Sequence, residues 1–346
     1  MDRPLRPRHL EPGATVAVVS PSWGGPAVFP GVFDHGLAVL RGWGLEVREY
    51  GSTRAVRDDP ARSPRRRAED LNSAFGDPTV HAIITSIGGD DSIRLLPYLD
   101  AAVIRANPKI LMGYSDTTVL LSAVRRMGLV TFHGPSVMAG LSQLPAMPEA
   151  YGRHVRSMLF EPATRLTYAP FGVFVSTYPR WEDPRNAGRA GMLTPDDGPR
   201  VLQGAGQVVG ELFGGCVEVL DWIRGTSAWP TEDEWSGRLL IIEPSEEKPS
   251  PDQVTRILRS FGALGVFDRI AGLLVGRAMD HTAEEKQVLE SAIRDAVAGE
   301  LGRPDLPILA NLDIGHSDPQ WVIPIGVRAE VDLEARTLTL LEPWLT

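Results

Sequence analysis

Short apolar runs alternate with amphipathic stretches along the first half of the chain. The apolar runs predict buried strands at 14–20, 45–50, 81–87, 110–112 and 130–133. Helical spacing of apolar residues is found between them, at 33–41, 63–75, 92–99 and 117–124. Strands and helices that alternate in this order form βαβ units, in which the strands are parallel and helices cover both faces of the sheet. The first half is therefore predicted to be an α/β domain with a parallel sheet.

The pattern changes after about residue 165. Residues 169–198 are rich in Pro, Gly, Asp and Arg, and a segment of this length without periodicity is usually functional or a linker. Strand-like runs follow at 206–212, 238–243, 270–275, 308–312, 321–324, 329–332 and 337–341, with helical spacing at 217–224 and 252–261. We therefore expect a flavodoxin-like N-terminal α/β domain (1–168), an inter-domain loop (169–198) and a C-terminal mixed α+β domain (199–346).

A serine stands where the fourth strand should turn into a helix. Gly113-Tyr114-Ser115-Asp116 follows the fourth apolar run and precedes the helical stretch that opens at Thr117. A serine on a tight strand-to-helix turn exposes its hydroxyl, and the free N–H groups of the helix N-terminus can hold a developing oxyanion. This is the logic of a nucleophile elbow, although Thr117 replaces the second glycine of the usual motif. The alternative is a plain helix cap.

Two predicted strands of the second half lead to residues that, with the serine, could form a hydrolytic triad. One apolar run ends in Glu243, and the run at 308–312 leads to His316. Together with Ser115 they supply a nucleophile, a general base and the carboxylate that orients the base. His133, at the end of the fifth strand, is the alternative base, but we interpret it as a structural residue near the expected cleft between the two domains.

Short glycine-, serine- and histidine-bearing motifs occur along nearly the whole chain. They lie at 15–22, 87–96, 113–118, 133–135, 210–215, Glu243 and 315–316. In this order they resemble the LD-carboxypeptidase and microcin C self-immunity family of serine peptidases. The resemblance implies a catalytic triad of Ser115, Glu243 and His316, a homodimeric assembly, and catalysis without a metal or cofactor.

An oxyanion hole is also implied by the resemblance. It would use the backbone N–H groups of Asp116 and of Gly88 or Gly89, because the missing Cβ atoms let this backbone approach the substrate closely. The alternative is that the two glycines only form a tight turn between a strand and a helix.

The family has two substrate branches. The choice between them depends on Trp181, Lys248 and Asp91, whereas Cys216 is a departure from the residue that relatives usually carry. The loop at 169–198, with Trp181, resembles the aromatic-bearing loop of the self-immunity branch, whose tryptophan stacks on a nucleobase; the alternative is that Trp181 only packs the loop. Lys248 resembles the lysine that binds the nucleotide portion in that branch, unless it lies in a solvated turn. Cys216 replaces the usual asparagine, so a substrate hydrogen bond is expected to be altered. Asp91 stands where cell-wall enzymes tend to have an aromatic residue.

These features favour a serine peptidase that hydrolyses the amide between an aminoacyl or peptidyl group and a nucleotide-like moiety, a microcin C-type self-immunity activity. The alternative is a murein LD-carboxypeptidase that removes the terminal D-alanine from tetrapeptides. An alternative of another class is a non-catalytic protein that binds nucleotides or peptides on the same scaffold.

Composition narrows the class of protein without choosing among these functions. The chain has 346 residues, of which 43% are hydrophobic, and its net charge of −9 argues against a nucleic-acid partner or an anionic membrane surface. Cys216 is the single cysteine, which excludes an internal disulfide and suits a reducing compartment. The histidines and this cysteine show no metal-ligand spacing. The apolar run at 15–19 is too short for a signal peptide or a membrane span, so we expect a cytoplasmic protein.

Overall fold

The computed structural model describes residues 4–175 and 177–346. Its strands are β1 (Thr15–Val19), β2 (Glu46–Glu49), β3 (Val80–Thr85), β4 (Ile110–Gly113), β5 (Thr131–His133), β6 (Leu166–Thr167), β7 (Val173–Val175), β8 (Leu193–Pro195), β9 (Arg200–Gln203), β10 (Gln207–Cys216), β11 (Arg238–Glu243), β12 (Gly272–Gly276), β13 (Ile308–Leu312), β14 (Ile323–Ile325), β15 (Arg328–Asp332) and β16 (Thr337–Leu340). Its α-helices are α1 (Gly25–Val28), α2 (Pro30–Gly42), α3 (Pro64–Gly76), α4 (Ala101–Ala106), α5 (Thr118–Arg126), α6 (Glu149–Phe160), α7 (Val217–Trp222), α8 (Pro251–Ala263) and α9 (Ala283–Asp295). Over the described residues, no helix has the length and apolar character needed to cross a membrane.

The first sheet has the strand order β14, β5, β4, β3, β1, β2. Strands β1 to β5 are parallel to one another, as predicted. Their apolar side chains, among them Val18, Ile84 and Met112, are fully buried in the core. Because parallel strands end at the same edge of a sheet, the turns after β3 and β4 meet there. These turns contain Gly88 and Ser115.

The second sheet has the strand order β6, β16, β15, β10, β11, β12, β13, β9. Strands β10 to β13 are parallel neighbours at its centre, and antiparallel strands flank them. The register pairs Cys216 at the end of β10 with Glu243 at the end of β11. His316 follows β13, so that Glu243 and His316 come from one edge of this sheet.

The predicted strand at 321–324 does not belong to the second sheet, contrary to its predicted place in the C-terminal domain. It forms β14, which pairs antiparallel with β5 at the edge of the first sheet and sets Ile323 opposite His133. The strand is buried at every position, so its pattern predicts a buried strand without specifying the sheet that it joins. As a result, the segment that follows His316 lies against the first domain, which contains Ser115.

Helices α1, α4, α6 and α9 fall outside the predicted elements. Helix α9 has a capping box in which the Thr282 hydroxyl accepts from the Glu285 N–H at 3.2 Å and the Glu285 carboxylate accepts from the Thr282 N–H at 2.8 Å. A local signal therefore existed for this helix. The stretch at 92–99 is a 3₁₀ segment, Ser92–Tyr98, which contains Pro97; proline lacks the N–H that a longer α-helix would use there.

The inter-domain loop is anchored to the C-terminal domain at both ends. Within it, β7 and β8 form an antiparallel hairpin. Asp196, near its end, lies 2.9 Å from the buried guanidinium of Arg277. Near its start, the N–H of Phe171 donates to Asp313 at 2.9 Å, and Arg277 pairs with Asp313 as well. One buried cluster thus fixes both ends of the loop.

Candidate active site

Ser115 lies on a strained turn between β4 and α5. Its φ of 59° is in the left-handed region, which is uncommon for a residue other than glycine. The turn is tight, since a Cβ at Gly113 would lie 2.8 Å from Cγ2 of Thr117. Ser115 is partly exposed, whereas Tyr114 and Asp116 on either side are buried. This backbone therefore presents the Ser115 hydroxyl outside the protein interior, as a nucleophile elbow requires.

Gly88 lies directly against the turn that contains Ser115, the predicted nucleophile; we call this segment, 113–117, the nucleophile turn. A Cβ at this position would be 2.6 Å from Oγ of Ser115 and 3.4 Å from the backbone N of Asp116. The first distance leaves no room for a side chain, so the Gly88 backbone approaches Ser115 as closely as an oxyanion hole needs. Gly89 has a φ of 140°, and a Cβ there would lie 2.9 Å from the backbone N of Trp23. The structure thus brings Gly88 to the serine, whereas Gly89 packs against Ser22 and Trp23.

The Asp116 carboxylate connects this glycine loop to the nucleophile turn. Its Oδ2 atom accepts hydrogen bonds from the N–H groups of Asp91 at 3.0 Å and Ser92 at 2.8 Å. Because the Asp116 side chain is fully buried, these two donors stabilise a carboxylate that water does not reach. The backbone around Gly88 is therefore fixed relative to Ser115.

His316 and Glu243 form a buried pair at the edge of the second sheet. Nδ1 of His316 lies 2.7 Å from Oε2 of Glu243, and both side chains are nearly inaccessible to solvent. Burial raises the pKa of Glu243 to about 7, against the opposing effect of His316. Burial also opposes protonation of His316, but the carboxylates of Glu243 and Glu246 outweigh it and raise the imidazole pKa well above its usual value. Glu243 holds the ring through Nδ1, so any proton transfer by His316 would use Nε2.

The Nε2 atom of His316 faces a second carboxylate. It lies 3.0 Å from Oε2 of Glu246, whose side chain is 58% exposed. Burial raises the pKa of this carboxyl group, but its contact with His316 outweighs burial and lowers the pKa to about 2. Glu246 was not among the predicted site residues, because an exposed acidic residue in a turn has no distinctive sequence signal.

A hydrogen-bond network joins three segments of chain around the histidine. The ring of Tyr114, the residue before Ser115, lies edge-on to His316 with centroids 4.8 Å apart. The Tyr114 hydroxyl is 3.0 Å from the hydroxyl of Tyr178, which donates to Oδ2 of Asp318 at 3.2 Å. Tyr151 donates to Oδ1 of Asp318 at 2.9 Å. The nucleophile turn, the inter-domain loop and the segment after His316 therefore hold one another in place.

His133 lies beside the same carboxylate as His316. Its Nε2 atom is 3.9 Å from Oε1 of Glu243, and the residue is 1% exposed. Burial and the positive charge of His316 lower the pKa of His133 to about 3, so its ring is neutral at physiological pH. Of the two histidines, His316 has the shorter contact with Glu243, which favours it as the general base.

Trp181 lies in an aromatic cluster with Trp23, Phe29 and Tyr178. Its ring packs edge-on against Phe29 with centroids 5.7 Å apart and lies 6.0 Å from the ring of Tyr178. Phe29 contacts Trp23 at 5.9 Å, and Trp23 is 40% exposed. The N–H of Trp23 donates to the carbonyl of Gly88 at 3.1 Å, so this aromatic cluster extends to the glycine loop. Sequence reasoning missed Trp23, which follows a short turn without a recognisable pattern.

The other three predicted substrate-binding residues have partners within the protein. Nζ of Lys248 lies 2.9 Å from a carboxylate oxygen of Glu285. Sγ of Cys216 donates to Glu218 at 3.3 Å, and burial raises the pKa of this thiol well above its usual value. Asp91 forms ion pairs with two arginines of the first domain. Each of these three side chains is thus engaged by another side chain of the protein.

A partly exposed serine with a glycine backbone against its hydroxyl therefore lies on a turn whose Tyr114 ring packs against a buried histidine–carboxylate pair. These are the groups that hydrolases with an activated nucleophile use. The fold and these groups are those of a two-domain α/β hydrolase.

Comparison with known proteins identifies the family. Residues 16–134 match the LD-carboxypeptidase N-terminal domain and residues 209–331 match the LD-carboxypeptidase C-terminal domain, so the chain belongs to the LD-carboxypeptidase family of peptidases. It is 27% identical to the microcin C7 self-immunity protein MccF of Escherichia coli, over 99% of this chain and 97% of that protein. It is 29% identical to the "Probable murein peptide carboxypeptidase" of Bacillus subtilis, over 97% of this chain and 94% of that protein.

Solved structures agree with this assignment. The structure of MccF in complex with aspartyl sulfamoyl adenosine matches with a TM-score of 0.87 at 26% identity, over 99% of this chain and 100% of the other. The family and the fold class expected from the sequence are confirmed.

Proposed function

We propose that the protein is a serine peptidase in which Ser115, His316 and Glu243 form the catalytic triad. Nε2 of His316 accepts the hydroxyl proton as Oγ of Ser115 attacks the substrate carbonyl, and Glu243 stabilises the resulting imidazolium. The N–H groups at the start of the helical turn and in the glycine loop stabilise the oxyanion. His316 then protonates the leaving amine, and water hydrolyses the acyl-enzyme with the same residue as base.

The leaving group of the proposed reaction carries a nucleotide-like moiety. The observation that supports this is the position of Trp181, which lies beside Tyr178 and, through it, next to the nucleophile turn. An aromatic ring in this position near the nucleophile turn can stack on a base attached to the scissile amide. MccF has been solved with aspartyl sulfamoyl adenosine, and a tryptophan-to-phenylalanine variant of MccF with adenosine monophosphate. Those ligands belong to that relative and support the same substrate class here.

A murein LD-carboxypeptidase is the second candidate. The packing of Trp181 against Phe29 favours it, because this contact alone would account for a tryptophan that only holds the loop. The name of the Bacillus subtilis relative also refers to murein peptides. In this reaction the same triad would cleave the bond to a terminal D-alanine.

The proposed enzyme is a cytoplasmic homodimer. The assembly rests on the family resemblance, and the compartment on the single cysteine, Cys216, which is buried and free.

Product analysis distinguishes the two candidate activities. The protein is incubated separately with an aminoacyl-sulfamoyl adenosine and with a murein tetrapeptide, and the products are quantified by mass spectrometry. We expect the wild type to cleave the aminoacyl-sulfamoyl adenosine with the higher kcat/KM. The Ser115→Ala variant should cleave neither substrate. Cleavage of the tetrapeptide alone would contradict the nucleotide specificity. Binding of both without turnover by the wild type would contradict the peptidase and support a non-catalytic binding protein.

Trp181→Ala tests the contact that carries the proposal. Stacking of a base on an aromatic ring contributes about 1–3 kcal/mol. In Trp181→Ala, kcat/KM for the aminoacyl-sulfamoyl adenosine should therefore fall by roughly five- to 150-fold, with no change in kcat/KM for the tetrapeptide. Trp43→Ala is the matched control, because Trp43 is also half-buried and lies edge-on to a phenylalanine, Phe160, at 6.2 Å. Equal losses on both substrates, together with a lower Tm, would identify Trp181 as a structural residue.

A further inference from the structure

Glu246 lies at ion-pair distance from the nitrogen through which His316 would act, although the two form no hydrogen bond. The turn that contains it begins directly after β11, and its Oε2 atom lies 3.0 Å from Nε2 of His316. Its negative charge also reaches the neighbouring phenol of Tyr114. A carboxylate at Nε2 stabilises the protonated ring, and a protonated ring cannot accept the proton of Ser115. Glu246 must therefore leave Nε2 before the proposed reaction can begin.

The turn itself is held in place on both sides of Glu246. Before it, the N–H of Ser245 donates to Glu218 at 3.1 Å, and the Ser245 hydroxyl donates to the same carboxylate. After it, Lys248 pairs with Glu285 at 2.9 Å. The backbone is thus fixed, whereas the Glu246 side chain is more than half exposed. Rotation of this one side chain is sufficient to free Nε2.

A cation of the substrate is the group that can draw the carboxylate away. The positively charged neighbour in this turn, Lys248, is already engaged by Glu285. The scissile carbonyl carbon of an aminoacyl substrate is bonded to the α-carbon of the acyl group, and the α-nitrogen is bonded to that α-carbon. When this carbonyl lies between Ser115 and His316, a free α-ammonium group is therefore two bonds from the carbonyl carbon and comes within reach of Glu246.

We propose that Glu246 is a specificity-determining residue that binds the free α-ammonium group of an aminoacyl substrate and thereby releases Nε2 of His316. This inference rests on the proposed peptidase function and names the acyl half of its substrate. An aminoacyl group satisfies Glu246 and activates the base in one event. An N-acylated, peptidyl group lacks the cation and leaves Glu246 on the histidine. The enzyme therefore prefers aminoacyl over peptidyl substrates.

The preference is measured with substrate pairs that differ only in acetylation of the α-amine. Alanyl-sulfamoyl adenosine and its N-acetyl form make one pair; alanyl-D-alanine and its N-acetyl form make the other. A charge-assisted contact at a half-exposed site corresponds to about tenfold in kcat/KM, so the wild type should favour the free amine by about that factor. Glu246→Gln should lose the preference, with a lower rate on the free amine and an equal or higher rate on the acetylated form. Glu247→Gln, at the adjacent exposed glutamate, should keep the wild-type preference.

These outcomes separate the two proposals. Equal rates within whichever pair the wild type cleaves, or an unchanged preference in Glu246→Gln, would overturn the role of Glu246. A parallel loss on both members of a pair would make Glu246 a structural residue and overturn it as well. Cleavage of the dipeptide pair alone would contradict the nucleotide substrate while leaving Glu246 fully tested on that pair. Cleavage of neither pair would overturn both proposals.

Discussion

Arg277→Met should destabilise the protein by about 3 kcal/mol. The guanidinium of Arg277 is fully buried, lies 2.9 Å from Asp196 and also pairs with Asp313; both aspartates are buried as well. Methionine keeps an aliphatic side chain in the space beside Phe174, whose ring lies 5.1 Å from the guanidinium, but it removes the charge. Two carboxylates then stay in the interior without the guanidinium between them, and the charge of Lys286, which acts on Asp196, compensates them only in part.

The magnitude depends on the contacts that these carboxylates retain. Removal of one partner from a buried ion pair costs about 3–5 kcal/mol. Asp196 keeps a hydrogen bond from Nδ2 of Asn311 at 3.0 Å, and Asp313 keeps one from the N–H of Phe171 at 2.9 Å, so we expect the lower end of the range. Conversion of both aspartates to asparagine in the same variant should recover at least half of the loss, because an amide needs no counter-charge.

The loss of stability in Arg277→Met should also depend on pH. Burial raises the pKa of Asp313 even beside Arg277, and without the guanidinium the pKa of both carboxyl groups should lie above their unfolded-state values. A group with a raised folded-state pKa contributes stability below its unfolded pKa, and this stability is lost as the pH rises through the folded pKa. The difference in unfolding free energy between wild type and variant should therefore be larger at about pH 8 than at about pH 5.

Urea denaturation followed by circular dichroism at both pH values measures this difference. Arg259→Met is the matched control, because Arg259 pairs with Glu300 at the surface, where ion pairs contribute little. An Arg277→Met midpoint equal to that of the control, or no recovery with the two asparagines, would refute the reasoning. The buried cluster would then not be what anchors the inter-domain loop.

Three further predictions concern the site and the assembly. Ser115→Ala should reduce kcat by about 10⁶-fold, the scale seen when a triad nucleophile is removed, while calorimetry shows substrate binding retained. The acid limb of kcat/KM against pH should lie above the usual histidine range, because the pKa of His316 is raised. Glu246→Gln removes one of the two carboxylates that raise this pKa and should move the limb to lower pH. A limb that does not move in this variant would contradict the assignment of His316. The ionisable groups that face this ring are Tyr114, His133, Glu243, Glu246 and Asp318. Light scattering should give the mass of a homodimer at micromolar concentration, and a monomer mass would contradict the assembly.

Much of the first sheet could be predicted from the sequence, because its strands are local apolar runs separated by helices. The nucleophile turn could be predicted for the same reason, since the strand, the turn at Ser115 and the following helix are contiguous in the chain. Strand β14 could not be assigned to its sheet, because pairing with β5 across nearly two hundred residues leaves no local trace.

The parts of the site that were missed are contacts between distant segments. Asp318 accepts from Tyr151 and Tyr178 only because three segments meet there. Glu246 reaches His316 because β11 and β13 end at the same edge of the second sheet. The assignments of Lys248, Cys216 and Asp91 came from resemblance alone, and the structure shows each of them with a protein partner.

The most direct test of the central claim is a fluorophosphonate label mapped by mass spectrometry. Such reagents form a covalent bond with a serine hydroxyl that an adjacent base activates. The account predicts one adduct on the peptide that contains Ser115, no adduct in Ser115→Ala, and much slower labelling in His316→Ala. An adduct at another residue, or equal labelling rates in wild type and His316→Ala, would contradict it.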